Sequence, residues 1–102
     1  MIAVGSDHGG YELKQEIIQY LKDKNIEYKD VGCYSAQSCD YAEFGKGVAK
    51  MVADGTCEKG IIICGTGIGI SIAANKVKGV RAALCHDCFS AEATREHNDA
   101  NI

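Results

Sequence analysis

The feature that most constrains the fold is a run of apolar residues that leads directly into a run of glycines. Residues 61–64 read Ile-Ile-Ile-Cys, and residues 65–69 read Gly-Thr-Gly-Ile-Gly. A continuous apolar strand is typical of a parallel sheet whose two faces are both covered by helices. The pattern therefore predicts an α/β unit in which a buried strand ends in a glycine loop and a helix begins after it.

The rest of the chain alternates between short apolar segments and segments of helical periodicity. Strands are predicted at residues 1–5, 27–31, 61–64 and 80–84, and helices from residue 11, from residue 41, after residue 69 and over residues 87–96. In the first helix Leu13, Ile17, Ile18 and Leu21 form the predicted apolar face, and Lys14 is expected opposite. Alternating strands and helices predict a single domain over residues 1–102 with a doubly wound parallel sheet and helices on both faces.

Composition and charge argue against several classes of function. The net charge of −3 and the absence of basic runs disfavour binding to nucleic acid or to an anionic membrane surface. No apolar stretch approaches the roughly 20 residues of a membrane span, and the start of the chain does not resemble a signal peptide. We therefore expect a cytoplasmic protein whose six cysteines are reduced thiols.

Polar and glycine residues follow three of the predicted strands. They are Ser-Asp-His-Gly-Gly at residues 6–10, the glycine run that follows Cys64, and Cys-His-Asp at residues 85–87. Ligands of such sheets bind outside the carboxyl ends of the strands. The three segments are therefore expected to meet at one edge and to form a site there.

Glycines at alternate positions between a strand and a helix let backbone N–H groups approach a ligand closely, and the helix N-terminus adds partial positive charge. An anion or a developing oxyanion is the expected occupant, although a tight turn without a ligand has the same pattern. The spacing lacks the Gly-x-Gly-x-x-Gly of dinucleotide sites, because Ile70 stands at the last position. It also lacks the Gly-Lys-Ser/Thr ending of nucleotide-binding P-loops.

Several side chains near these segments could carry chemistry. Cys64 precedes the glycine loop, where a thiol can act as a base or nucleophile, but position alone favours a buried structural cysteine that ends the strand. Asp7 and His8 suit proton transfer or the binding of a hydroxyl-rich anion, and residues 97–99 (His-Asn-Asp) have similar potential. The single C-x-x-C of Cys85 and Cys88 cannot complete a zinc site, and a dithiol redox role stays open.

Together these motifs resemble one family. Residues 5–10 (GSDHGG), 64–69 (CGTGIG) and 95–101 (REHNDAN) look like the type B ribose-5-phosphate isomerases, whose superfamily includes the galactose-6-phosphate isomerases. The resemblance covers the whole chain, with the motifs in the family's order. It implies a doubly wound, Rossmann-like fold and an aldose–ketose isomerase that interconverts ribose 5-phosphate and ribulose 5-phosphate through an enediolate.

The resemblance also implies roles for particular residues. Cys64 is the base that moves a proton between C1 and C2, and His97 is the acid that assists ring opening, with Thr66 nearby. The backbone of residues 65–69 stabilises the enediolate oxygens. The residues expected to bind substrate are Asp7, His8, Tyr41, Gly65, Thr66, Gly67, Ile68, Gly69 and Asn98.

In this family His97 and Asn98 reach into the neighbouring subunit, which implies a homodimer or a tetramer with shared active sites. No metal or organic cofactor is expected. Family members extend beyond the position of Ile102 with a last strand and a C-terminal helix that carries phosphate-binding arginines, so the chain is expected to be C-terminally incomplete. A six-carbon substrate such as allose 6-phosphate or galactose 6-phosphate, or a non-catalytic anion-binding role, are the alternatives.

Overall fold

A computed structural model of the protein describes residues 1–32 and 41–102. The strands are β1 (Ile2–Ser6), β2 (Tyr28–Gly32) and β3 (Lys59–Ile63); the helices are α1 (Tyr11–Asp23), α2 (Tyr41–Ala53), α3 (Ile68–Asn75) and α4 (Cys88–Ala93), and α4 continues into a π-helical turn at Thr94–Asn98. Within the described residues the strands form one parallel sheet in the order β2-β1-β3. The predicted α/β fold is confirmed.

The central strand β1 shows how the two faces of the sheet are covered. Successive side chains of a strand point to opposite faces. Ala3 is fully buried in a cluster with Val48 of α2, and Val4 is fully buried in a cluster with Ile18 and Leu21 of α1. Helices α1 and α2 therefore cover opposite faces, as the alternation of strands and helices predicts.

The predicted fourth strand is wrong, because residues 80–84 do not join the sheet. The backbone N–H of Gly60 in β3 donates to the carbonyl of Asn101 at 2.9 Å, and the N–H of Ala83 donates to the carbonyl of Ile102 at 3.0 Å. Residues 101 and 102 thus lie between β3 and the 80–84 segment. The apolar pattern of that segment is real, but its partner is the far end of the described chain.

The prediction that Lys14 lies on the polar face of α1 is also wrong. Lys14 is fully buried on the same face as Ile18 and Leu21, whereas the Leu13 side chain is half exposed. The Nζ atom of Lys14 lies 2.6 Å from Oδ1 of Asp30, in β2. This ion pair offsets the cost of removing an ammonium group from water, so a lysine can occupy a position that its polarity would exclude.

Close packing between α2 and α3 fixes the helix that follows the glycine loop. A Cβ atom on Gly45 of α2 would stand 2.8 Å from Cγ1 of Ile70, so only glycine allows this approach. Ala49 of α2 and Ala74 of α3 are both fully buried in one apolar cluster. The small residues allow α3, the helix that follows the glycine loop, to pack closely against α2.

The cysteines occupy different environments. Cys57 is buried in the apolar cluster on the α2 side of the sheet, whereas Cys85 and Cys88 are exposed, and all three carry free thiols. Cys33 and Cys39 lie outside the described residues. Over residues 1–32 and 41–102, no helix has both the length and the apolar character to cross a membrane.

Candidate active site

The glycine loop joins β3 to α3 through a left-handed residue. Gly67 caps α3 with φ of 77° and ψ of −11°, and a Cβ atom there would stand 2.5 Å from Cδ1 of Leu84. The N–H of Ile68 donates to Oγ1 of Thr66 at 3.1 Å. The left-handed backbone therefore favours glycine at position 67.

Cys64 is held at the start of this loop. Its side chain is half-buried, and its Sγ atom accepts a hydrogen bond from the N–H of Gly67 at 3.1 Å. This donor stands at the N-terminus of α3, where the partial charges of the helix favour negative charge. The contact orients the sulfur, which can act as a base or nucleophile.

Two further N–H groups of the loop are open to a ligand. Those of Gly65 and Thr66 make no hydrogen bond within residues 1–32 and 41–102. Both residues are exposed. The loop therefore offers backbone donors beside Cys64, which is the arrangement expected of an oxyanion site.

The loop after β1 packs directly against the glycine loop. The N–H of Asp7 donates to the carbonyl of Ile63 at 3.1 Å, and a Cβ atom on Gly9 would stand 3.5 Å from the nitrogen of Gly65. Asp7 is largely buried, and its Oδ1 atom accepts a hydrogen bond from the N–H of Gly10 at 2.9 Å. Asp7 thus fixes the start of α1, whereas His8 is exposed on the same loop.

A cavity of about 830 Å³ opens beside the glycine loop. This volume falls within the range of roughly 300–1,000 Å³ that is typical of small-molecule sites. Of the residues predicted for the site, those that line the cavity are Cys64, Gly65, Thr66, Gly67 and Ile68. Asp7, His8, Gly69, His97 and Asn98 lie outside this lining, and the side chain of Tyr41 lies outside the described part of the chain.

The third predicted segment contributes to the same cavity. Cys85 and His86 line it, whereas Asp87 caps α4 by accepting a hydrogen bond from the N–H of Ser90 at 2.7 Å. The hydrogen bonds from the Ser90 backbone and side chain lower the pKa of the Asp87 carboxyl, and a smaller contribution comes from the charge of His86. Among the described residues no group of three or more His, Cys, Asp or Glu side chains could hold a metal ion.

His97 and Asn98 sit on the exposed π-helical turn that follows α4. Thr94 and Arg95 of the same turn line the cavity beside Cys64, but His97 and Asn98 do not. Sequence reasoning missed Arg95 and also Leu13, which lines the cavity instead of packing in the core. Arg95 belongs to the REHNDAN motif, but roles are predicted there only for His97 and Asn98, so nothing in the sequence marks the arginine. Helical periodicity places Leu13 on the core-facing side of α1, which is wrong.

Residues 2–102 match the Ribose/Galactose Isomerase family. The chain belongs to this family. It is 54% identical over 102 residues to a putative sugar phosphate isomerase of Bacillus subtilis, a match that covers 99% of this chain and 68% of that protein. It is 48% identical over 101 residues to ribose-5-phosphate isomerase B of Escherichia coli, with the same two coverages. A solved structure of ribose-5-phosphate isomerase B from Clostridium thermocellum matches with a TM-score of 0.98 at 56% identity, over 99% of this chain and 68% of that one.

The glycine loop of this family member yields a test with an internal control. Gly67→Ala is expected to lower the free energy of unfolding by about 1–2 kcal/mol, because the left-handed backbone of Gly67 disfavours a Cβ atom. A Cβ atom on Gly65 meets no atom within 4 Å, so Gly65→Ala should change stability by less than about 0.5 kcal/mol. Urea unfolding measures both. Equal losses in the two variants would contradict the conformational role of Gly67.

Proposed function

We propose that this protein is an aldose–ketose isomerase that interconverts ribose 5-phosphate and ribulose 5-phosphate through an enediolate. The observation that carries the proposal is the position of Cys64. Its sulfur accepts a hydrogen bond at a helix N-terminus, beside two open backbone donors and on the wall of a cavity of small-molecule size. Membership of the Ribose/Galactose Isomerase family and the name of the Escherichia coli relative support the same reaction.

In the proposed mechanism Cys64 removes the proton from C2 of the open-chain aldose. The electron pair of that C–H bond forms the C1–C2 double bond, and the aldehyde oxygen becomes an oxyanion. The N–H groups of Gly65 and Thr66 donate to this oxygen, because they have no hydrogen-bond partner in the described chain. The hydroxyl proton of O2 then passes to O1, and return of the carbon-bound proton to C1 leaves a hydroxyl at C1 and the carbonyl at C2.

The other residues act before or around this step. His97 is the acid that assists opening of the furanose ring, and Thr66 lies on the cavity wall near Cys64. Asp7, His8, Tyr41 and Asn98 are proposed to bind the sugar phosphate. Because Asp7 already holds the N–H of Gly10, its contribution would come through the loop it shapes as well as through its free carboxylate oxygen.

The proposed assembly is a homodimer in which each active site uses two chains. Within one chain His97 and Asn98 stand on an exposed turn outside the cavity that Cys64 lines. An acid that is required in the site but lies outside the cavity of its own subunit is explained if it serves a neighbouring subunit. A tetramer built from two such dimers would preserve the same arrangement.

Parallel assays of pentose and hexose phosphates test the reaction. We expect kcat/KM for ribose 5-phosphate to exceed the values for allose 6-phosphate and galactose 6-phosphate by at least about tenfold, because a pocket discriminates substrates that differ by one carbon unit by about 10–200-fold. A higher value for a hexose phosphate would transfer the proposal to that substrate. Saturable binding of sugar phosphates without any turnover would favour the non-catalytic anion-binding module instead.

A further inference from the structure

The backbone just after the π-helical turn is held by an arginine from a distant part of the chain. The guanidinium of Arg81 donates two hydrogen bonds to the carbonyl oxygen of Asp99, from Nε at 2.9 Å and from Nη2 at 2.8 Å. The same Nη2 atom lies 3.5 Å from Oδ2 of Asp99. Two charged donors on one carbonyl form a geometrically specific contact, which a lysine could not reproduce.

A second arginine holds the same segment from the turn itself. Nη1 of Arg95 donates to Oδ1 of Asp99 at 3.2 Å and also to the carbonyl of Ala100. Asp99 adopts a left-handed backbone with φ of 51° and ψ of 43°, a conformation that residues other than glycine seldom adopt. Contacts from both sides therefore hold the left-handed backbone at the residue that follows His97 and Asn98.

Arg81 is itself anchored to the helix that begins at the glycine loop. Its carbonyl accepts a hydrogen bond from the N–H of Asn101 at 3.0 Å, and its N–H donates to Oδ1 of Asn101 at 2.8 Å. The next residue, Ala82, exchanges two hydrogen bonds with the side-chain amide of Asn75 at 2.9 and 2.8 Å. Asn75 is the last residue of α3, so hydrogen bonds connect α3 to the π-helical turn through Arg81.

We propose that Arg81 is a positioning residue that sets the location of His97 and Asn98 through the carbonyl of Asp99. The proposal deepens the proposed function, because those two residues are the acid and a sugar-binding group of that mechanism. Arg81 and Asp99 are both exposed, and exposed ion pairs contribute little to global stability. The effect of Arg81 is therefore local: it selects one conformation of the turn.

Hydrogen exchange at two amides tests the contact between Arg81 and the carbonyl of Asp99, which we call the clamp, without any need for catalysis. The N–H groups of Asp99 and Ala100 both donate to the carbonyl of Thr94, so their protection reports the closed turn. Arg81→Ala is expected to speed exchange at both amides by at least about tenfold, while amides of the sheet keep their protection. Arg81→Lys should lie between Arg81→Ala and the unmodified chain, because a lysine supplies a single point charge in place of the fork.

Two matched variants separate the carbonyl contact from simple charge. Asp99→Asn removes the carboxylate charge but keeps the carbonyl, and asparagine tolerates the left-handed backbone, so protection should stay within about twofold of the unmodified chain. Lys78 is an exposed lysine in the segment between α3 and Arg81. Lys78→Ala removes its charge and should leave hydrogen exchange at the amides of Asp99 and Ala100 unchanged. Unchanged exchange in Arg81→Ala, or faster exchange in Asp99→Asn than in Arg81→Lys, would overturn the proposal. If Arg81→Ala fails to fold, the comparison of Arg81→Lys with Asp99→Asn decides.

Turnover separates this proposal from the proposed function. Arg81→Ala should lower kcat for ribose 5-phosphate by about tenfold because His97 is displaced, and should raise KM because Asn98 is displaced. Arg81→Lys should recover part of both losses. Faster exchange at Asp99 and Ala100 with unchanged kcat would support the clamp and would contradict the role of His97. A lower kcat with unchanged exchange would overturn the clamp and leave the isomerase proposal intact.

Discussion

Cys64→Ser is expected to lower kcat for ribose 5-phosphate by at least about 10²-fold with little change in KM. A serine oxygen can still accept the hydrogen bond that the N–H of Gly67 makes to the sulfur, so the loop should keep its geometry. What the variant loses is the sulfur as a proton acceptor, and general base catalysis typically contributes about 10²–10⁴-fold. Steady-state kinetics at saturating and limiting substrate separate kcat from KM.

The control for this variant is Cys88→Ser. Cys88 is exposed, begins α4 and does not line the cavity, so its replacement should leave both constants unchanged. Cys57→Ser would be a poor control, because Cys57 is buried among apolar residues and a hydroxyl there would destabilise the core. Turnover of Cys64→Ser near that of the unmodified chain would remove Cys64 from the mechanism.

Mixing two inactive variants should restore activity if the active site is shared. Cys64→Ser lacks the base and His97→Ala lacks the acid, so each is expected to be nearly inactive alone. In a mixed dimer one of the two sites receives an intact Cys64 from one chain and an intact His97 from the other. The exposed position of His97, outside the cavity of its own chain, is the structural basis for this expectation.

The size of the recovery follows from counting sites. After full exchange in equal amounts half of the dimers are mixed, and half of their sites are whole, so recovery should reach about a quarter of the unmodified activity. Differently tagged chains and native mass spectrometry verify that mixed dimers have formed. Verified mixed dimers without recovered turnover would place the base and the acid on the same subunit.

The parts of the fold that depend on local pattern could be predicted from the sequence. The apolar run at residues 61–63 and the glycines after it predicted β3, the loop and α3, and the bounds differ by only a few residues. The pairing of residues 80–84 could not be predicted in this way. That segment forms backbone hydrogen bonds with residues 101 and 102. Such pairing depends on contacts between distant parts of the chain, which a local pattern does not reveal.

The features of the candidate site also differ in whether a single segment of sequence is enough to predict them. Cys64 and the loop are neighbours in sequence, so their contact could be expected from position alone. The burial of Lys14 depends on Asp30 in another strand, and the hold on Asp99 depends on Arg81. Polarity and periodicity describe one segment at a time, so neither reveals a partner that arrives from a different element.

The most direct measurement of the central claim is isomerisation in D₂O. Cys64 is expected to take the proton of C2 and to return one to C1, and its thiol is expected to exchange that proton with solvent because the cavity it lines is open. Mass spectrometry or NMR of the ribulose 5-phosphate formed should therefore show deuterium at C1, and Cys64→Ser should neither form product at a comparable rate nor incorporate deuterium. Product that forms with no deuterium at C1 would contradict proton transfer by a Cys64 thiol that exchanges with solvent.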